Sequence, residues 1–194
     1  AASFAQPAET MDSILTATIN VLEAIRLVGQ GVSFYNAASS ECFGDTGRIP
    51  ANECTPFRPK SPYGIAKSEA FYKIVNYREN YSLRACSGIL FNHESVLRPE
   101  RFVTRKVTMS VARIALGSDE YLVMGDLSIE RDWGWAPEYV LAMWAMLQRD
   151  EPEDFVIATG RSTSLRSFVE NVFNSVGLDW EKYVIQDQSI FRPS

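Results

Sequence analysis

The sequence is poor in the residues that build metal centres and disulfide frameworks. It has one histidine, His93, and three cysteines, Cys42, Cys54 and Cys86, which are scattered and form no Cys-x-x-Cys pair. A lone histidine without neighbouring ligands argues against a metal site. An odd number of separated cysteines is typical of reduced thiols, and we therefore expect a cytoplasmic protein.

Long apolar runs, basic runs and glycine-rich turns are also missing. No apolar stretch approaches the length of a membrane-spanning helix. The net charge is -5 without a long basic segment, which argues against nucleic acid and membrane surfaces as partners. No glycine precedes Gly29, and the chain has no Gly-x-Gly-x-x-Gly turn of the kind that holds a cofactor pyrophosphate.

The chain nevertheless has the composition of a folded α/β protein. Of its 194 residues, 46% are hydrophobic, which is enough for a sizeable core. Apolar periodicity predicts helices over residues 10–27, 62–78, 107–116, 137–148 and 164–176, and strands over 32–38, 83–91, 121–126 and 155–160. A helix, a strand and a second helix after the polar loop 45–60 predict a parallel α/β sheet.

The residues from Ser61 to Lys67 indicate a specific chemistry. Ser61 is a favourable helix N-cap, and Pro62 suits the first helical position. Tyr63 and Lys67 are four residues apart, so they lie on one face of the predicted helix. An ammonium group beside a phenol favours the phenolate, which is a general base for a hydroxyl proton. Taken alone, the pair is also compatible with an ordinary helix surface.

Polar side chains follow two of the predicted strands. Ser39 and Glu41 come at the end of the first strand, the edge at which ligands bind in open α/β sheets. Either they contribute a hydroxyl and a carboxylate to a site, or Ser39 or Ser40 caps the next turn and Glu41 faces solvent. Asn92 and His93 follow the second strand, and the sequence leaves open whether His93 is catalytic or structural.

A group of cations surrounds Thr104, the predicted N-cap of the third helix. Its members are Arg98, Arg101, Arg105 and Lys106. Because a helix N-terminus attracts negative charge, this group is either an anion-binding site or a solvated surface.

Longer segments join these motifs in a characteristic order. They are Ser39-Ser40-Glu41, Ser61-Pro62-Tyr63-Gly64-Ile65-Ala66-Lys67, Gly88-Ile89-Leu90-Phe91-Asn92-His93-Glu94-Ser95, Arg131-Asp132-Trp133-Gly134, Pro152-Glu153-Asp154-Phe155-Val156-Ile157-Ala158-Thr159-Gly160 and Phe191-Arg192-Pro193. Their order resembles the extended short-chain dehydrogenase/reductase superfamily and, more closely, the GDP-mannose 4,6-dehydratases. The likeness covers nearly the whole chain, and the segments that begin at Gly88 and Pro152 are its most specific parts.

The resemblance implies a Rossmann-like parallel sheet with a smaller α/β substrate-binding domain. Residues 1–92 would be the C-terminal part of an NADP-binding Rossmann domain whose first strands and glycine-rich loop are absent. Residues 93–194 would mainly form the nucleotide-sugar domain, with segments near 131–160 returning to the Rossmann domain. We therefore expect the sequence to be incomplete at both ends, and the chain alone to fold poorly and to be inactive.

The resemblance also implies a reaction. GDP-mannose would be converted to GDP-4-keto-6-deoxymannose and water, with bound NADP reduced and reoxidised in each turnover. Tyr63 would take the proton of the sugar 4-hydroxyl, while Lys67 holds the phenolate and the nicotinamide ribose. Glu41 would remove the C5 proton, and Ser39 would hydrogen-bond the 4-oxygen.

Other residues would bind the cofactor or the substrate by the same resemblance. His93 and Arg98 would contact NADP, together with Tyr63 and Lys67. The residues that would contact GDP-mannose are Asn92, Lys106, Arg131 and Arg192, whose cationic members suit a diphosphate. Relatives suggest a homo-oligomer, either a dimer or a tetramer. Two alternatives stay open: a nucleotide-sugar epimerase or reductase of the same superfamily, and a non-catalytic chain that assembles with partner chains.

Overall fold

The chain folds into two compact units. The computed structural model describes residues 2–29, 31–47 and 49–190. Among the described residues, the first unit comprises those up to Phe91 together with Pro137–Ala158, and the second comprises Asn92–Ala136 and residues 159–190. Among the helices in these described ranges, none has the length and apolar character needed to cross a bilayer.

Helices and strands alternate along the chain. The helices are α1 (Ala2–Ala5), α2 (Pro7–Met11), α3 (Ala17–Val28), α4 (Pro62–Tyr81), α5 (Val103–Ala115), α6 (Ala136–Leu147) and α7 (Leu165–Ser175). The strands are β1 (Ser33–Ser39), β2 (Arg84–Leu90), β3 (Asn92–Glu94), β4 (Leu122–Met124), β5 (Glu130–Trp135), β6 (Phe155–Ile157), β7 (Ser162–Ser164) and β8 (Val184–Gln186). A wider, π-helical stretch, Asp12–Thr16, joins α2 to α3.

A parallel three-stranded sheet in the order β1-β2-β6 forms the centre of the first unit. β1 pairs with β2 from Ser33 opposite Arg84 to Ser39 opposite Leu90, so the two strands end at the same edge. The prediction of a parallel α/β sheet is confirmed. Ser39 therefore lies at the carboxyl edge of the sheet, the edge at which ligands bind in such folds.

Helix α4 packs against this sheet through small and apolar residues that recur at helical spacing. Ala66, Ala70 and Ile74 are fully buried. Ile74 forms an apolar cluster with Leu22 of α3 and Ala85 of β2. Because alanine adds little bulk, the helix backbone approaches the strands closely, and its first turn comes to the carboxyl end of β1.

An ion pair connects the start of β6 to α4 and β2. Arg78 Nη1 and Nη2 donate to Asp154 Oδ1 and Oδ2 at 3.0 and 2.6 Å. Asp154 Oδ1 also accepts the backbone N–H of Ser87 at 2.6 Å, and Arg78 Nη1 donates to the carbonyl of Ala85 at 2.9 Å. The pair thus connects α4, β2 and the residue that precedes β6.

The second unit is built from short sheets and the helices α5 and α7. β3 pairs in parallel with β5, and β5 pairs antiparallel with β7. β4 pairs in parallel with β8. The core is one apolar cluster from the helices and the β4 region: Val107, Val111, Ile114, Leu122, Met124, Leu127, Leu165, Val169 and Phe173. The apolar stripe of the predicted helix 107–116 is therefore the buried face of α5.

The structure differs from the predicted elements in three respects. The predicted helix 10–27 is not a single α-helix, because the π-helical stretch Asp12–Thr16 separates α2 from α3. The structure contains strands that the sequence does not predict, namely β3, β5, β7 and β8. Thr104 is not the N-cap of α5, because Phe102 occupies that position. The Thr104 hydroxyl instead donates to Glu94 Oε2 at 2.7 Å. The N-cap prediction is wrong because the helix begins at Val103, one residue before Thr104, and Phe102 has the extended backbone of an N-cap.

Candidate active site

A hydroxyl and a carboxylate stand at the end of β1. Ser39 is the last residue of the strand, and its Oγ accepts the backbone N–H of Glu41 at 3.2 Å. The Glu41 side chain is exposed. Ser39 therefore caps the turn, with its Oγ as the hydrogen-bond acceptor. Its hydroxyl proton is left to donate to another oxygen.

Helix α4 begins as the sequence predicts. Ser61 Oγ accepts the backbone N–H of Gly64 at 3.0 Å, and Pro62 occupies the first turn. The N-cap prediction is confirmed. The same Ser61 hydroxyl donates to Glu41 Oε2 at 2.7 Å. One side chain thus joins the carboxylate to the helix that carries Tyr63.

Tyr63 and Lys67 are both half-buried on α4. Lys67 Nζ donates to the carbonyl of Ala37 at 2.9 Å and lies 5.7 Å from the centre of the Tyr63 ring. Burial lowers the pKa of Lys67, and the neighbouring Cys42 raises it to a smaller extent. A cation fixed beside the ring favours negative charge on the phenol.

The first unit therefore brings its four candidate residues to one end of the sheet. They are Ser39, Glu41, Tyr63 and Lys67. Together they offer a hydroxyl donor, a carboxylate and a phenol beside an ammonium group, which are the groups needed for two successive proton transfers. An open cleft of about 530 Å³ elsewhere in this unit has other walls, among them Phe71, Arg78 and Asp154.

Gly64 allows the start of α4 to approach the turn at Glu41. A Cβ atom at Gly64 would lie 2.8 Å from the backbone oxygen of Glu41 and 3.1 Å from Cβ of Pro59. The obstructing oxygen belongs to the backbone and has no rotamer by which to move away. The missing side chain is thus what lets the carboxylate-bearing turn and the helix lie in contact.

We expect Gly64→Ala to destabilise the protein by about 1–3 kcal/mol, because the added methyl group overpacks this contact. In an unobstructed helix the same change would stabilise by about 1 kcal/mol, so the sign of the effect is diagnostic. Urea unfolding followed by circular dichroism measures it. Glu69→Ala, at an exposed position of α4, is the control and should change stability by less than about 0.5 kcal/mol. A higher unfolding midpoint for Gly64→Ala would contradict the contact.

The cationic group of the second unit is partly neutralised. Arg98 Nε lies 3.1 Å from Glu94 Oε2, and the Arg98 guanidinium lies 3.6 Å from the centre of the Phe102 ring. Arg101 approaches the same ring at 5.2 Å. Two arginines therefore flank one aromatic ring, and Glu94 orients one of them. Glu94 is a residue that the sequence analysis did not single out. Its spacing of four from Arg98 is no signal for an ion pair here, because the residues between them form a turn and not a helix.

Three of the remaining binding candidates, and His93 as well, lie in the second unit. Asn92 and His93 are half-buried in β3. Lys106 Nζ donates to the carbonyl of Val123. Arg131 is exposed on β5, and its Nη1 donates to the carbonyl of Glu130 at 2.7 Å. Arg192 lies outside the described residues. In the part of the chain that the structure describes, no three His, Cys, Asp or Glu side chains form a group that could hold a metal ion.

A helix-flanked parallel sheet with a tyrosine and a lysine at its carboxyl edge defines a Rossmann-type protein of the short-chain dehydrogenase/reductase class. Solved structures have the same fold. RMD from Pseudomonas aeruginosa, complexed with NADPH, superposes with a TM-score of 0.89 at 22% identity, over 95% of this chain and 63% of that one. The dTDP-glucose 4,6-dehydratase of Bacillus anthracis, in complex with NAD, gives 0.84 at 18% identity, over 91% and 56%. The Rossmann-like fold is thereby confirmed.

Sequence comparison narrows the class to one family. The profile of the GDP-mannose 4,6 dehydratase family matches residues 1–193. GDP-mannose 4,6 dehydratase 2 of Arabidopsis thaliana is 47% identical over all of this chain and 53% of its own length. The GDP-mannose 4,6-dehydratase of Vibrio cholerae serotype O1 is 49% identical over 93% of this chain and 49% of its own length. The chain belongs to the GDP-mannose 4,6-dehydratase family, and it spans about half the length of the curated relatives it matches.

Proposed function

We propose that this chain provides the acid–base residues for the dehydration of GDP-mannose to GDP-4-keto-6-deoxymannose. The observation that carries the proposal is the hydrogen bond of 2.7 Å by which Ser61 joins Glu41 to the helix of Tyr63 and Lys67. A dehydration across C5 and C6 of a 4-keto sugar needs one base for the 4-hydroxyl and a second for C5. The names of the relatives support the same reaction. They disfavour a purely non-catalytic chain.

Four residues of the first unit have distinct tasks. Tyr63, with the Lys67 ammonium beside its ring, acts as the base that accepts the proton of the substrate 4-hydroxyl. Ser39 donates a hydrogen bond to the 4-oxygen, because its Oγ proton is not used in capping the turn. Glu41 then accepts the proton from C5, which the adjacent ketone acidifies, and passes it to the C6 hydroxyl, which leaves as water. Return of the stored hydride to C6 and of a proton to C5 would complete the 6-deoxy product.

The residues also suit an NADP cofactor. When bound, NADP supplies a two-electron acceptor and donor at its nicotinamide ring. Lys67, whose ammonium is half-buried and fixed by Ala37, would hold the nicotinamide ribose together with Tyr63. His93 and Arg98 of the second unit would contact the cofactor as well. The ion pair to Glu94 and the Phe102 ring hold the Arg98 guanidinium in one orientation.

The second unit would bind the nucleotide sugar. Asn92, Lys106, Arg131 and Arg192 are the residues that we assign to GDP-mannose. Guanidinium and ammonium groups recognise a diphosphate through charge-assisted hydrogen bonds. We further propose that residues 1–92 act as part of the cofactor domain and residues 93–194 mainly as the substrate domain. A cytoplasmic homo-oligomer, a dimer or a tetramer, is the state in which we expect the enzyme to act.

The test of this proposal is Glu41→Gln in the natural polypeptide, assayed with GDP-mannose and NADP. The amide keeps the shape of the side chain but is not a base, so we expect formation of the 4-keto-6-deoxy sugar to fall about 10²- to 10⁴-fold. Oxidation at C4 should persist, and reduced cofactor should therefore accumulate. The readouts are chromatography of the nucleotide sugars and cofactor absorbance.

Glu69→Gln, which changes an exposed carboxylate of the same unit, is the matched control and should leave the rate unchanged. An epimerase or reductase would not need Glu41 as a base. Unaltered turnover of Glu41→Gln to a 6-hydroxy product would therefore refute dehydration and favour that alternative.

A further inference from the structure

We propose that Ser61 is a positioning residue for Glu41: its hydroxyl holds the carboxylate in place for proton removal from C5. This role rests on the proposed function of Glu41 as the C5 base. Ser61 is 20 residues from Glu41 in the chain, yet its Oγ lies 2.7 Å from Glu41 Oε2. The contact links the end of β1 to the start of α4.

The direction of the two Ser61 hydrogen bonds follows from the groups involved. A serine hydroxyl has one proton and two lone pairs. The Gly64 amide can only donate, so it takes a lone pair of Ser61 Oγ at 3.0 Å. The carboxylate of Glu41 can only accept. The single hydroxyl proton of Ser61 is therefore directed at Glu41. Any other orientation of the hydroxyl would lose one of the two hydrogen bonds.

The backbone of Glu41 is already fixed on both sides. Its N–H donates to Ser39 Oγ at 3.2 Å, and its carbonyl oxygen lies against the Cα of Gly64, where a Cβ would come within 2.8 Å. The side chain, in contrast, is exposed and has three rotatable bonds. Ser61 is thus the contact that selects one orientation of the carboxylate. A charge-assisted O–H···O⁻ bond of this length is among the stronger protein hydrogen bonds.

Because Ser61 itself is the N-cap, the orientation of Glu41 is set by the same residue that starts the Tyr63 helix. Tyr63 is two residues beyond Ser61. The two bases therefore keep a fixed relation to each other. The expected consequence of losing the hydroxyl is a slower C5 step with an intact C4 step.

The experiment compares Ser61→Gly and Ser61→Thr in the natural polypeptide with GDP-mannose and NADP. Glycine is nearly as good an N-cap as serine, so Ser61→Gly removes the hydroxyl while keeping the helix start. We expect kcat for the keto-deoxy product to fall about 10- to 100-fold, with KM within about twofold, since a misplaced base costs rate and not binding. Reduced cofactor should accumulate, and Ser61→Thr should restore the rate to within about threefold.

Ser164→Gly is the matched control. Ser164 is the N-cap of α7, and its Oγ accepts the N–H of Ser167 at 3.1 Å. Its loss should leave kcat unchanged. The positioning role is overturned if Ser61→Gly keeps full kcat, if Ser61→Thr is as slow as Ser61→Gly, or if C4 oxidation slows equally. If the unmodified protein makes no keto-deoxy sugar, or Glu41→Gln is fully active, the proposed function fails and the role of Ser61 falls with it.

Discussion

Replacement of Tyr63 by phenylalanine is expected to lower kcat for the proposed dehydration of GDP-mannose about 10²- to 10⁴-fold, the contribution typical of a positioned general base. The ring, and with it the cation–π contact from Lys67 at 5.7 Å, would remain. Only the phenolic oxygen is lost. Because the 4-hydroxyl then has no proton acceptor, reduced cofactor should not accumulate. Stopped-flow absorbance of the cofactor and chromatography of the nucleotide sugars measure the two quantities.

This outcome differs from that expected for Glu41→Gln, in which reduced cofactor accumulates and product does not. The pair of variants therefore separates the two proton transfers. Tyr72→Phe, an exposed tyrosine on the same helix, is the control and should retain full activity. Equal cofactor reduction in Tyr63→Phe and in the unmodified protein would show that another group removes the 4-hydroxyl proton.

Local signals predicted the part of the fold that carries the first unit's site. Ser61 and Pro62 mark the start of α4 because capping and the fixed proline φ act within one helical turn. The apolar run of β2 is typical of a buried strand, and the two predicted strands, β1 and β2, form and pair in parallel. The spacing of Tyr63 and Lys67 on a helix face likewise needs only local geometry.

The contacts that the sequence did not predict are those between distant segments. Asn92–Glu94 and Glu130–Trp135 have polar residues without strand alternation, and they become strands by pairing with each other. Ser61 and Thr104 both give their hydroxyl protons to glutamates, Glu41 and Glu94, from other parts of the chain. Nothing in the spacing of a serine or threonine specifies which distant carboxylate it will meet. Such partners arise only once the strands have set the register of the chain.

The ion pair of Arg78 and Asp154 is expected to be a major contributor to the stability of the sheet that carries the site. The side chains are 19% and 14% exposed, and the carboxylate also accepts the Ser87 amide. The hydrogen bond from the Arg78 guanidinium to Asp154 raises the pKa of Arg78. Without Asp154 the guanidinium would still be charged, because arginine is not deprotonated in proteins. Asp154→Asn would thus leave a largely buried cation unpaired, which costs about 3–5 kcal/mol. Urea unfolding monitored by tryptophan fluorescence measures the loss.

The neighbouring residue provides a control for that prediction. Glu153 pairs with Arg149 at 2.6 Å, but these side chains are 54% and 49% exposed. Water screens such a pair, so Glu153→Gln should cost less than about 1 kcal/mol. Each of the two substitutions removes one negative charge, and the positions are adjacent. The difference between the two losses in free energy of unfolding therefore measures the effect of burial. Equal losses for both variants would mean that the Arg78 pair contributes no more than a surface ion pair, and that apolar packing alone holds β6 against β2.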